Sequence, residues 1–324
     1  LEHFMGMQTQ VSPDVEPTPE FNARCMGLIL GWQHGEISVN DALYELKNLA
    51  REALSMGHIA NEARAEQLSG YLQHYGGNLN ISIAHYDKAR RLFDRVGNRR
   101  RIVIIDIGQG ENYRFRGEFK RARRLYHNAY EASTQIEDIG LQSIAITNEG
   151  LTLLSMKEYK PARKALEEAL YLSEQITEDD GNYDALRTEI FFGLAEVALE
   201  EGNPIDAWEK GHHSLAYGNI SKNKHSIGLA YRVLGDALTV LRDIPDDSDY
   251  QKPDDYYRAA LETFRGLDAQ AEVGRTIYSH ACSLAKRGRR RNAAQLFREA
   301  MVTFTQLGMT ADAANAADAQ LQVM

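Results

Sequence analysis

The sequence predicts an all-α chain, a solenoid of about seven antiparallel helix pairs closed by a C-terminal capping helix. Three observations lead there. Helix breakers are scarce, since three of the seven prolines, Pro13, Pro17 and Pro19, fall in the first twenty residues. Alanine, leucine, glutamate and arginine dominate the rest, and these are good helix formers. Small residues also recur in register, with Ala42, Ser82, Ala122 and Ala162 each 40 residues apart. Around each of them the same neighbours return at the same spacing, which is the mark of a repeat architecture.

The elements follow in chain order. Residues 1–20 read as an extended, proline-containing arm, because Val11 to Glu20 carries too many prolines for a helix. The chain opens with Leu1, and Met5 or Met7 is a candidate natural start. Residues 21–324 read as one solenoid domain. Leu30 begins a degenerate first copy with Ala42, Leu46 and Leu49. The second runs Gly70, Gly77, Ser82, Tyr86 and Ala89, and the third Gly110, Gly117, Ala122, Tyr126 and Ala129. Gly150, Lys157, Ala162, Leu166 and Ala169 make the fourth, and Ala195, Gly202, Ala207, Gly211 and Ser214 the fifth. The sixth is stretched, from Leu234-Gly235 to Ala260, Phe264 and Leu267, by an acidic insertion loop at 243–255. Ala281, Gly288, Ala293, Phe297 and Ala300 make the seventh.

Close packing explains the pattern. A small residue lets two helix backbones approach, and a large one a turn later fills the groove beside it. Glycine between the helices supplies the left-handed residue that ends the first of them. The second helix of each pair is amphipathic. In the third, Ala122, Leu125, Tyr126, Ala129 and Ala132 face inward, with Arg121, Arg123, Arg124 and Asn128 outward. Thr310 to Val323 reads as the cap, with Ala311, Ala314, Ala317 and Leu321 on one face.

These residues resemble the tetratricopeptide (TPR) family over roughly residues 21–324. The motif shows as Gly110-x2-Tyr113 with Gly117, Ala122-x3-Tyr126 and Ala129, and as Leu234-Gly235 with Ala260-x3-Phe264. The 40-residue step is longer than the usual ~34 and resembles a longer-helix variant of bacterial regulatory and signalling proteins. The resemblance implies a right-handed superhelix whose concave face, lined by the first (A) helices, holds a peptide or a partner segment. It implies no cofactor. Some family members clamp a carboxylate with lysines and asparagines, but Asn112 and Asn148 lack companion lysines here.

By helix phase, the side chains that project into the concavity are Gln67, Tyr71 and His74, then Glu111 and Arg114, then Thr147, Asn148 and Leu151. Phe192 and Glu196 follow, then Arg232 and Asp236, then Tyr278.

Other chemistries find less support. Net charge is −9, which argues against the basic footprint of nucleic-acid binding. Asp106 to Glu111 is glycine-bearing but lacks the strand a phosphate loop needs. His212 and His213 are adjacent and point to different faces, without metal-ligand spacing. Cys25 and Cys282 are the only two cysteines, too few for a disulfide framework, and a cytoplasmic setting is expected. No nucleophile-base grouping marks an enzyme. The arginine run from Lys286 to Arg291 reads as a solvated helix end or a docking patch for an acidic partner. The function expected is a non-catalytic protein- or peptide-binding scaffold. The alternatives are a sensor region of a bacterial signalling or transcription-control system, and a structural self-assembling subunit.

Overall fold

The computed structural model describes residues 15–176 and 183–324. Fifteen α-helices occupy them, with no strand among the described residues. The first helices of the pairs are α1 (Pro19–Gln33), α3 (Ile59–Tyr75), α5 (Arg99–Phe115), α7 (Ile139–Ser155), α9 (Asp184–Glu200), α11 (Lys224–Val240) and α13 (Gln270–Lys286). Their partners are α2 (Val39–Met56), α4 (Leu79–Arg95), α6 (Phe119–Gln135), α8 (Tyr159–Glu174), α10 (Pro204–Ser221), α12 (Pro253–Gly266) and α14 (Arg290–Leu307). The cap is α15 (Thr310–Val323). Successive A helices from α3 to α15 touch one another and form the inner layer, while the B helices pack outside them.

The repeat register places the core. Ala42, Ser82, Ala122, Ala162, Ala207, Ala260 and Ala293 are all fully buried. The large residue a turn later is buried as well, whether Tyr86, Tyr126, Leu166, Phe264 or Phe297. Glycine on the A helix makes room for it: a Cβ on Gly110 would stand 2.4 Å from the Tyr126 ring. Six of the seven A helices of the pairs end in a left-handed residue, while α11 runs into the extended Leu241. Gly77, Gly117, Gly202 and Gly288 have φ of 77–79°. Lys157 takes the same conformation at φ 63°, which costs an L-residue energy that glycine avoids.

Four details differ from the sequence reading. Helix α1 starts at Pro19, two residues before the expected start of the solenoid at 21, because Thr18 caps it and proline suits the first helical position. The acidic connection ends at Lys252, since Pro253 opens α12 with Asp254 and Asp255 in the first turn, at the positive end of the helix. On α15 the buried residue is Ala316, while Ala314 is exposed and Leu321 is 72% exposed. Alanine at six of fourteen positions, spread around the helix, leaves it without a clear periodic signal to set its phase. Leu30 does not repeat the buried role of Gly70, and Trp32 fills the end of α1 instead.

The solenoid closes on itself. Trp32 Nε1 donates to the Leu267 carbonyl at 2.9 Å, across 235 residues of chain. Thr310 Oγ1 donates to the Arg116 carbonyl at 2.9 Å, Leu307 covers Gly77, and Ala311 packs on Gly117. One hydrophobic cluster accordingly contains Phe21, Trp32 and Leu72 together with Phe264, Phe304 and Met309. The A helices therefore surround a lumen.

Candidate functional site

The lumen holds a cavity of about 510 Å³, bounded by residues of α3, α5, α7, α9, α11, α13 and α15. Nearly every A helix reaches it, because side chains at three- and four-residue steps share one face. On α11 that face is His225, Leu229, Arg232, Asp236 and Val240. On α13 it is Glu272, Arg275, Tyr278, Ser279, Cys282 and Lys286. Of the residues named from sequence, His74, Glu111, Arg114, Leu151, Phe192, Glu196, Arg232, Asp236 and Tyr278 line the cavity. Gln67, Tyr71, Thr147 and Asn148 do not. Gln67 is buried and accepts from Arg64 Nη1 at 2.9 Å. Tyr71 lies edge-on to Trp32 and Tyr75. Thr147 Oγ1 and Asn148 Nδ2 donate back to the carbonyls of Ser143 and Ile144 within α7.

Burial and charge divide the lumen. Glu272 accepts from Arg232 and, at 3.0 Å, from Arg275. Burial works against its ionisation, but the two guanidiniums hold its carboxyl well below the usual carboxylate range. Arg275 lies 3.9 Å over the Phe115 ring and Arg114 4.9 Å from it, so two cations share one aromatic. Arg232 stands 5.1 Å from the Phe192 ring. Arg114 Nε and His225 Nε2 are buried without a hydrogen-bond partner among the described residues.

Glu189 and Glu196 form the other half. They stand two turns apart on α9 and line the cavity. Neither makes a hydrogen bond or an ion pair within the described residues. Burial pushes Glu189 up to about 8, with Glu111 adding to the shift. Burial pushes Glu196 up to about 7 against the pull of Arg232. Asp236, raised by burial to about 6, accepts from Tyr257 at 2.7 Å. His225 is lowered by burial to about 4, so its ring is neutral at pH 7.

The sequence reading missed Glu189, Tyr75, Phe115, Glu272 and Arg275. A signal was present: Glu189 precedes Phe192 by three residues and Glu196 by seven, so extending the same helical face would have reached it. Cys282 lines the lumen beside Tyr278, and burial raises its thiol to about 11. His212 and His213 do part company, His212 edge-on to Trp208 and His213 stacked on Phe191.

No family model and no curated protein matches the chain. Solved structures do. The apo form of RapI aligns with TM-score 0.58 at 15% identity, over 82% of this chain and 99% of that one. A Rap protein complexed with Competence and Sporulation Factor aligns at 0.62 and 15% identity, over 94% and 84%. The fold is that of the Rap proteins, a TPR-like helical solenoid. The Rap conjugation gene regulator of plasmid pLS20, solved with a Phr peptide, aligns at 0.57 and 14% identity, over 82% and 75%. At these identities the likeness speaks for the fold.

Proposed function

We propose that the chain is a non-catalytic peptide- or protein-binding scaffold whose lumen takes a short partner segment bearing a basic side chain or a free amino group. The carrying observation is the pair Glu189 and Glu196. Two carboxyls face the cavity with no partner, while Glu272 nearby has two arginines. An unpaired buried carboxylate is costly, and a ligand cation relieves that cost where a neutral group does not. Leu151, Phe192, Leu229 and Tyr278 offer apolar walls for the rest of the segment. That two similar Rap structures hold Competence and Sporulation Factor or a Phr peptide supports this reading. The proline-bearing arm is a weaker candidate occupant. Its described residues lie at the starts of α3 and α5, where the Val15 carbonyl accepts from Asn98 and Asn61 accepts from the Thr18 amide.

The test is calorimetric titration with short synthetic peptides in basic, neutral and acidic sets. The basic set is expected to bind. Glu189→Gln with Glu196→Gln should weaken it tenfold or more, about 1.4 kcal/mol, while Arg124→Ala on the exposed side of α6 should leave it unchanged. Affinity should rise with pH between about 6 and 8.5, as the two glutamic acids lose their protons. Equal binding of acidic and basic sets would sink the proposal.

A further inference from the structure

A second surface points to self-association, independently of what the lumen holds. Helix α14 begins with arginine at the N-cap, Arg289, and at the next two positions, Arg290 and Arg291, with no acidic residue in its first turn. That is the positive end of the helix dipole, where cations are unfavourable and carboxylates favourable. Three other B helices place acids there, Asp41 in α2, Asp206 in α10, and Asp254 and Asp255 in α12, while α4, α6 and α8 carry none. The arginines are exposed and make no ion pair among the described residues. With Arg298 two turns on, Arg290 and Arg291 line an open groove whose far wall is apolar, formed by Val323 and Met324.

The chain carries the complement. The connection after α11 presents Asp243, Asp246 and Asp249, all exposed and unpaired among the described residues, with Ile244 47% exposed between them. Charge and apolar character thus match the groove together: carboxylates for the arginines, an isoleucine for the valine and methionine wall. The two surfaces also share one rim, since both adjoin A-to-B connections of neighbouring pairs. Arg287, just before the run, already holds Asp254, just after the acidic connection.

We infer that the basic groove of one copy receives the acidic connection of a second copy, and the reverse, in a two-fold pair. A two-fold axis makes each contact twice, so both patches are covered at once. Exposed ion pairs are individually weak and screened by salt, so the pair is weak and salt-sensitive.

Sedimentation equilibrium of the whole chain tests this. Dimers are expected near 100 µM protein in about 50 mM salt, with the dissociation constant rising at least tenfold in about 500 mM. Arg290→Glu with Arg291→Glu should give monomers, and so should Asp243→Lys with Asp246→Lys. Mixing the two variants makes both contacts complementary again, Glu against Lys at one and Arg against Asp at the other, and should restore a dimer. Three outcomes overturn the inference. One is a wild-type chain that stays monomeric in low salt. Another is variants that dimerise like the wild type. The third is a monomeric chain that binds an aspartate-rich peptide at the arginines, which would assign the groove to an unrelated acidic partner. Circular dichroism confirms that each variant folds, since every substituted residue is exposed.

Discussion

Glu189 shows what one residue reveals about the lumen. Its ordinary value is 4.5, and burial lifts it to about 8 in the folded chain. Between those two pH values the folded state keeps a proton that the unfolded state has lost. Stability therefore falls as pH rises through that window, and levels off above it. Glu189→Gln replaces the acid by a neutral side chain of the same shape and removes this dependence. The variant should gain melting temperature over the wild type, by a margin small near pH 5 and largest near pH 8.5. Thermal melts at a series of pH values check it, and a margin that does not change with pH would show that Glu189 is solvated. The same group explains why a lumen residue went unread: a glutamate on a helix is usually a solvated one, and this one is half-buried against the cavity.

At the scale of elements, the two helices of a pair were not equally legible. The B helices carry one clean apolar stripe; on α6 only Ala122, Tyr126, Ala129 and Ser133 are buried. Their phase and packing follow from periodicity alone. The A helices are covered on almost every side. On α3, Asn61, Glu62, Arg64, Glu66 and Gln67 are buried alongside the alanines and leucines. A helix buried all round has no stripe to set its phase, so Gln67, Tyr71, Thr147 and Asn148 were named for the concavity and do not line the cavity. The turns were legible through their glycines, and they separate two effects. Gly202 has φ 78° with open space where a Cβ would go, so Gly202→Ala should cost only the left-handed strain, about 1–2 kcal/mol. Gly117 has the same φ, but its Cβ would stand 2.7 Å from that of Ala311. Gly117→Ala should lower the urea midpoint further than Gly202→Ala, and equal shifts would mean that α15 does not seat on that turn.

For the whole molecule, the decisive feature is the closure, and the sequence held no sign of it. Repeat spacing reports contacts between neighbours, whereas the joining of the two ends depends on rotation per repeat summed along the solenoid. Small departures in each copy, such as Lys157 at a glycine position or the long connection before α12, alter that sum. The closure itself is slender: the Trp32 indole on the Leu267 carbonyl, Thr310 on the Arg116 carbonyl, and Leu307 over Gly77. It shapes the lumen all the same, since Glu272 and Arg275 of α13 come opposite Phe115 of α5 only when the ends meet. Trp32→Ala with Leu307→Ala removes two of those contacts, at the cost of the Trp32 packing on Tyr71 and Tyr75 of α3, and leaves the pairs from α3 to α13 in place. The helices should persist in circular dichroism while the solenoid opens, with a larger radius of gyration in small-angle scattering. Opening also parts Arg275 from Phe115 and widens the lumen, so affinity for the basic peptides should fall with it. An unchanged radius would show that stacking between neighbours alone sets the curvature, and that the contacts between the ends follow from the shape without holding it.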